Sequence, residues 1–416
     1  MSVLIYTLSI KAYSWLMHVV ALFHPKAKRW VDGRKGLLLR LSNELPGSTE
    51  GRPVAWFHAA SLGEFEQGRP VMEAFQKNYP GYAILLTFFS PSGYEVRKNY
   101  AVADYVCYLP LDTAVNARKF VRLVNPRIAF FIKYEFWYHY LHELRLQKAS
   151  IVSFASIFRP TQPFFRFYGQ LHRTMLRYFD HIVVQNGESE RLLAGIGISS
   201  VSCAGDTRFD RVHQIAQAAR SLPLIEAFVG QVPCLVVGSA WEADMKVLIE
   251  VLNGLEQPLK VIIAPHEIHD AELEQWAKRL RLKTARYSAY TAADVSADCL
   301  FIDNVGMLSS LYRYGQMAYI GGAFGAGLHN ILEAATFGLP VFFGNKNYRK
   351  FQEAVDLTEA GGALAVSDAS ELGKAMVRLL TDSALRAEKG NLNRQYVQAR
   401  TGATEQVMQV VHRLLS

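Results

Sequence analysis

The sequence predicts an α/β protein of two parallel-sheet domains, and three observations carry that prediction. Apolar runs of strand length alternate with helical patterns in two successive series, over 54–205 and 234–343. Such alternation specifies parallel strands with helices on both faces. Between the series the pattern loosens around Pro223 and Pro233, as a linker does. The third observation is the stretch 316–344, QMAYIGGAFGAGLHNILEAATFGLPVFFG. Its run 316–320 reads as a buried strand, 321–327 as a loop with four glycines, and 329–337 as a helix stopped by Gly338 and Pro340. A further strand follows at 341–343.

Length and composition agree. A chain of 416 residues predicts about two or three domains. With 50% hydrophobic and 20% charged residues, it can bury a large core. The expected divisions are an amino-terminal helix with a basic flank over 1–30, a first domain over 31–208, a linker over 209–232 and a second domain over 233–416. The four cysteines are scattered, with no CxxC pair, which argues for reduced core thiols and against a disulfide frame or zinc site. A net charge of +8 admits nucleic acid, an anionic membrane surface or phosphorylated substrates as partners.

In chain order, the apolar stretch 3–23 is near the length that spans a bilayer. Lys11 near its middle is costly there, and Thr7, Lys11, Ser14 and His18 form a narrow polar stripe. Such a helix lies in the membrane interface or buries its stripe against protein; an ordinary buried helix is the plainer alternative. Lys26, Lys28, Arg29, Arg34 and Lys35 place this end against anionic lipid on the cytoplasmic side. A signal peptide fits poorly, because the charges follow the apolar run. Strands are expected at 54–58, 83–87, 128–132, 151–155, 181–185 and 201–205, with helices at 70–78, 113–124 and 136–145. A helical piece at 211–220 precedes the second series of strands at 234–239, 260–264, 300–303, 317–320 and 341–343. The tail 384–415 is an amphipathic helix.

Several stretches carry chemistry. In open parallel sheets ligands bind at the carboxyl ends of strands, where glycines admit a phosphate and a helix start offers N–H groups. Gly325, Gly327, His329, Asn330 and Glu333 stand at such a place, with Asn330 and Glu333 three apart on one helix face. The segment HAASLGE, His58 to Glu64, ends the first strand, and Ser61 and Gly63 allow a tight turn. An acid in the first helical turn also suits the dipole without any function. Ser90 and Ser92 either cap a helix or bind an anion. The stretch 156–180, with Arg159 and many aromatics, suits nucleic acid, or a phosphorylated, acylated lipid at a membrane surface, the partner favoured here. There is no Asp-x-Asp metal motif and no early GxGxxG.

Taken together these motifs resemble the 3-deoxy-D-manno-octulosonic acid (Kdo) transferases of lipopolysaccharide synthesis. The glycine loop with GLHNILEAA resembles their nucleotide-sugar loop closely, and the likeness covers most of the chain after about Trp30. The resemblance implies a GT-B architecture, two Rossmann-like domains facing a cleft, with the amphipathic tail 384–415 crossing back to the first domain by analogy. It implies an inverting transfer of Kdo from CMP-Kdo to the lipid A precursor, at the cytoplasmic face of the inner membrane, with no metal, no other cofactor and no nucleic acid. Glu64 matches the residue regarded as the family's base, and Glu135 the second acid of a Glu-Thr-Glu-Leu-Trp-Pro-Asn segment. Here Lys133 replaces the first acid. Gly238, Ser239 and Glu242 match a donor segment, with Ala240 for its threonine. Pro265 and His266 match Pro-Arg-His-Pro without the arginine, which leaves Lys346 to meet the phosphate. Ser61, Gly63, Ser90, Ser92, Arg159 and Arg208 are implied on the acceptor side, and Gly325, Gly327, His329, Asn330 and Glu333 on the donor side. The alternatives are another nucleotide-sugar transferase of this architecture, or a non-catalytic membrane-associated nucleotide-sugar-binding protein.

Overall fold

The structure, a computed structural model, describes residues 2–219, 221–291, 296–325 and 327–416. It divides into two units, residues 1–210 with 401–416, and residues 211–400.

The first unit holds a seven-stranded parallel sheet. Its strands are β1 (Val54–Ala59), β2 (Ala83–Phe88), β3 (Tyr105–Tyr108), β4 (Pro126–Ile132), β5 (Ser150–Ser156), β6 (His181–Val184) and β7 (Val201–Cys203). They lie in the order β3-β2-β1-β4-β5-β6-β7. The near-continuous apolar runs are what a sheet covered on both faces requires. Trp56 and Phe131 enter the core on one face, Phe57 and Phe130 the core on the other. Strand order reverses between β1 and β4, so the carboxyl edge there is the place for a ligand.

The second unit repeats the plan. Its strands are β8 (Cys234–Ala240), β9 (Lys260–Pro265), β10 (Thr284–Arg286), β11 (Cys299–Phe301), β12 (Met317–Ile320), β13 (Val341–Gly344) and β14 (Ala363–Val366). Their order is β10-β11-β9-β8-β12-β13-β14, all parallel, with the reversal between β8 and β12.

Several elements differ from expectation. The tail is two helices, Ser383–Gln398 and Ala403–Leu415, parted at Gly402. The second of them belongs to the first unit, the crossing back that the analogy implied, although the expected division counted the tail in 233–416. Its face of Val407, Met408, Val410 and Val411 is buried with Phe57, Phe65 and Phe75. Asp210 accepts from the backbone N–H groups of Gly402 and Thr404 at its start. The stretch 209–232 is itself helical in part, with helices Thr207–Ala218 and Pro223–Val229. The helix expected over 329–337 is a single turn, Leu332–Ala335.

The helix Val3–Val20 docks on the first unit by one face. Tyr6 is buried and its hydroxyl donates to Asp112 at 2.5 Å, while Thr7 Oγ1 lies 2.9 Å from His139 Nε2. Asp112 also accepts from the N–H groups of His139 and Tyr140, and burial pushes its carboxyl up to about 6. Of the predicted polar stripe, Thr7 makes this protein contact, while Lys11 and His18 face outward. Leu4, Leu8, Trp15, Leu16, Val19, Leu22 and Phe23 stand exposed. The helix is long and apolar enough to cross a membrane.

Candidate active site

In the first unit the loops after β1, β2 and β4 form one hydrogen-bonded edge. His58 is fully buried at the end of β1, and its Nε2 lies 3.1 Å from Glu135 Oε2 beyond β4. The pair bridges the reversal of strand order. Trp137 Nε1 donates to the same carboxylate oxygen at 2.8 Å. On the other side of the ring, Thr87 Oγ1 lies 2.9 Å from His58 Nδ1 and accepts from Trp56 Nε1 at 2.8 Å. A carboxylate only accepts and an indole only donates. Trp56 Nε1 therefore donates to Thr87 Oγ1 and Trp137 Nε1 to Glu135, with His58 between them: its Nδ1 also lies 3.2 Å from the Thr87 carbonyl and its Nε2 3.2 Å from Trp137 Nε1. Glu135 is a buried acceptor whose facing oxygen takes the Trp137 N–H and stands against His58 Nε2.

Ser61 and Glu64 lie at the same edge. Ser61 precedes the helix Leu62–Asn78 but makes no side-chain cap to its backbone. Its hydroxyl donates instead to the carboxylate of Glu64, which is half-buried in the first turn. Gly63 beside it is exposed. The loop after β2 joins here, with Ser90 N donating to Ala60 O at 2.8 Å. Ser90 caps the helix Pro91–Arg97 through the N–H of Ser92. Phe89 stacks on Trp137 at 4.9 Å, and the half-buried Arg34 donates to the Phe89 carbonyl. That bond ties the amino-terminal helices to the site's wall. Of the other acceptor-side residues, Arg159 is exposed after β5, with its charge felt at Tyr134. Arg208 is paired with Asp206 at 2.8 Å.

In the second unit the glycine loop follows β12. Gly322 has φ +94°, and a Cβ there would run into the Gly327 carbonyl, so the loop's close return requires glycine. Ala326 within the loop lies outside the described residues. Asp244, buried, accepts from the Gly322 and Trp241 N–H groups and from the Tyr319 hydroxyl, bracing loop and helix start together. Burial raises its carboxyl above the ordinary range, and those three donors act against the rise. Asn330 is not helical, yet its amide donates to Glu333 Oε1 at 3.0 Å, so the two still meet. Gly238 packs under Tyr312 and Ser239 holds φ +54°, a strained value for a side-chain-bearing residue. Pro265 ends β9, and His266 after it stacks on His329 at 4.3 Å. Glu242 is turned elsewhere, accepting from Trp276 and Arg279. Lys346 is exposed, over the Phe324 ring at 5.9 Å. Asn347 donates to the Ala323 and Gly325 carbonyls, and the Lys350 ammonium approaches Gly327.

The sequence reading missed Trp241, Asp244 and Lys350. The first two have a signal, an acid three residues past a helix-start residue, which is the spacing of a capping box. Among the described residues no group of three His, Cys, Asp or Glu side chains is placed to hold a metal ion.

Residues 34–211 match the model of the family described as 3-deoxy-D-manno-octulosonic-acid transferase (kdotransferase). The 3-deoxy-D-manno-octulosonic acid transferase of Bordetella pertussis is 25% identical over 427 residues, covering 97% of each chain. That of Aquifex aeolicus is 26% identical over 333 residues, 78% of this chain and 86% of the relative. Among solved structures, the UDP-GlcNAc 2-epimerase of Neisseria meningitidis, bound to UDP-GlcNAc, aligns with TM-score 0.60 and 12% identity over 86% of this chain and all of that one. A UDP-N-acetylglucosamine 2-epimerase described as putative, from Listeria monocytogenes, gives 0.57 and 11% over 87% and 96%. These neighbours establish the fold alone, which is GT-B-like. By the family model on residues 34–211 and by these relatives along most of its length, the chain is similar to the 3-deoxy-D-manno-octulosonic-acid transferases.

Proposed function

We propose that the protein is an inverting glycosyltransferase that moves Kdo from CMP-Kdo to a hydroxyl of the lipid A precursor. The observation that carries this reading is a half-buried Glu64, held by Ser61 at the carboxyl end of β1, in a chain with the glycine loop after β12. Glu64 takes the proton of the acceptor hydroxyl. That oxygen attacks the anomeric carbon on the face opposite the nucleotide, and the bond to the phosphate oxygen breaks with its electron pair leaving on CMP. The loop N–H groups, His329, Lys346 and Lys350 stabilise that charge. The test is acceptor-dependent release of free CMP, with mass analysis of the lipid product. CMP release that ignores the lipid, or a lipid without added Kdo, would reject it. A sugar of another mass would support a transferase with a different donor, and no release at all a binding protein.

For the donor side, Glu333→Ala is expected to weaken CMP-Kdo binding by about 1.5–3 kcal/mol, the size of a hydrogen bond to a charged group. Calorimetry on the folded variant checks it, and an unchanged affinity removes Glu333 from the site.

For the membrane, the reading is attachment at the cytoplasmic face with the first helix lying in the interface. Its support is the bond from Tyr6 to buried Asp112, which holds the helix against the first unit while its opposite face stays apolar and exposed. Replacing Leu8 and Trp15 by Glu leaves Tyr6 untouched. Those changes are expected to move the protein to the soluble fraction with little change in melting temperature. Full retention on membranes counts against the proposal.

A further inference from the structure

Three rings meet at the carboxyl edge of the second sheet, where strand order reverses. Trp241 follows β8 and His329 follows the glycine loop. Their planes differ by 13°, their centroids are 6.3 Å apart, and Trp241 Nε1 donates to His329 Nε2 at 2.9 Å. These values describe two rings nearly coplanar and joined edge to edge. His266 lies over their seam, 4.4 Å from Trp241 at 25° and 4.3 Å from His329 at 26°. Its backbone N–H is pinned to the Ala240 carbonyl at 3.0 Å.

An indole N–H donates and never accepts. His329 Nε2 must therefore present its lone pair, and in a neutral imidazole the proton then sits on Nδ1. The ring is kept neutral: burial, and the His266 ring beside it, push its pKa down to about 4. The Nε2 edge, already taken by Trp241, packs against buried Gly322, where a Cβ would lie 3.1 Å from Nε2, so the Nδ1 edge is the one left for a ligand. The Nδ1 edge makes no hydrogen bond to a described residue.

We propose that Trp241 is a positioning residue that locks His329 in the Nδ1–H tautomer, so that the ring offers a fixed, neutral N–H donor to the phosphate of a nucleotide. The nucleotide half of this rests on the donor reading above. The tautomer half rests on the ring geometry alone. A histidine free to exchange tautomers spends part of its time with a lone pair toward the anion. Trp241 removes that state without placing a second cation at the loop.

The test is long-range proton–nitrogen correlation on the full chain with nitrogen-labelled histidine at pH 7, with the His329 signal assigned by its loss in His329→Gln. The expected wild-type ring carries its proton on Nδ1. Trp241→Phe keeps a ring beneath His266 and removes only the indole N–H. It is expected to give a mixed or reversed tautomer and about threefold to tenfold weaker CMP binding, the weight of one neutral hydrogen bond. His266→Ala removes the stack and leaves the bond, so its His329 tautomer is expected to stay as in wild type. An Nε2–H ring in the wild type overturns the proposal. So does unchanged CMP affinity in a Trp241→Phe protein whose tautomer has shifted, or loss of the tautomer in His266→Ala. Wild-type protein that fails to bind CMP overturns the nucleotide half together with the donor reading, while the ligand-free spectra decide the tautomer half separately.

Discussion

Glu64→Gln is expected to lower turnover by about 10²–10⁴-fold, the usual contribution of a positioned base, with CMP-Kdo affinity little changed. The amide keeps the size of the carboxylate and can still accept from the Ser61 hydroxyl, the contact that holds the side chain now. What it loses is the ability to take a proton. The plainer account of Glu64 is an acid that suits the start of the helix Leu62–Asn78. That account predicts a stability loss under about 1 kcal/mol and near-normal turnover. Ser61 does not cap the helix backbone, so serine and glutamate serve each other, not the helix. Turnover, donor affinity and melting temperature measured on one sample separate the two accounts. Near-wild-type turnover removes Glu64 from the mechanism. Ser61→Ala frees the carboxylate to rotate and is expected to show a smaller loss of turnover in the same direction.

The central strands were legible because burial on both faces leaves nothing but apolar residues in them. VAWFHA and VFFG are examples. β3, β10 and β14 went unread, and each is the outermost strand of a sheet. An edge strand has one neighbour and partial exposure, so its sequence need not be apolar; Thr284–Arg286 is half-exposed throughout. The donor loop was legible as glycine and helix signals, but its helix shrank to one turn because His329 and Asn330 hold positions set by Trp241 and Glu333. Tertiary bonds there override a helical pattern. Trp241 itself was invisible for a simple reason: its partner lies 88 residues away. His58 and Glu135, 77 apart, were both in view, but not their bond. Spacing reports only local geometry, and both pairs are made where the sheet reverses its strand order.

That bond decides what Glu135 does. Its carboxylate is buried, and one oxygen accepts from Trp137 Nε1 and lies 3.1 Å from His58 Nε2. Glu135→Ala is expected to destabilise the first unit by about 1–3 kcal/mol, because it takes the carboxylate partner from the Trp137 N–H and from buried His58. Its effect reaches further than stability. Trp137 stacks on Phe89, and the next residue, Ser90, bonds the loop that leads to Ser61 and Glu64. Turnover in the alanine variant is therefore expected to fall through disordered loops. Glu135→Gln separates this from direct catalysis. Its amide oxygen can still accept from Trp137 Nε1 beside His58, so the melting temperature is expected to stay within a few degrees of wild type. Turnover is expected to fall less than about tenfold, well short of the loss of a base. If Glu135 itself abstracted the acceptor proton, the glutamine variant would be well folded and inactive. A folded Glu135→Gln protein with turnover reduced a hundredfold or more, beside a Glu64→Gln protein that still works, would exchange the roles of the two carboxylates.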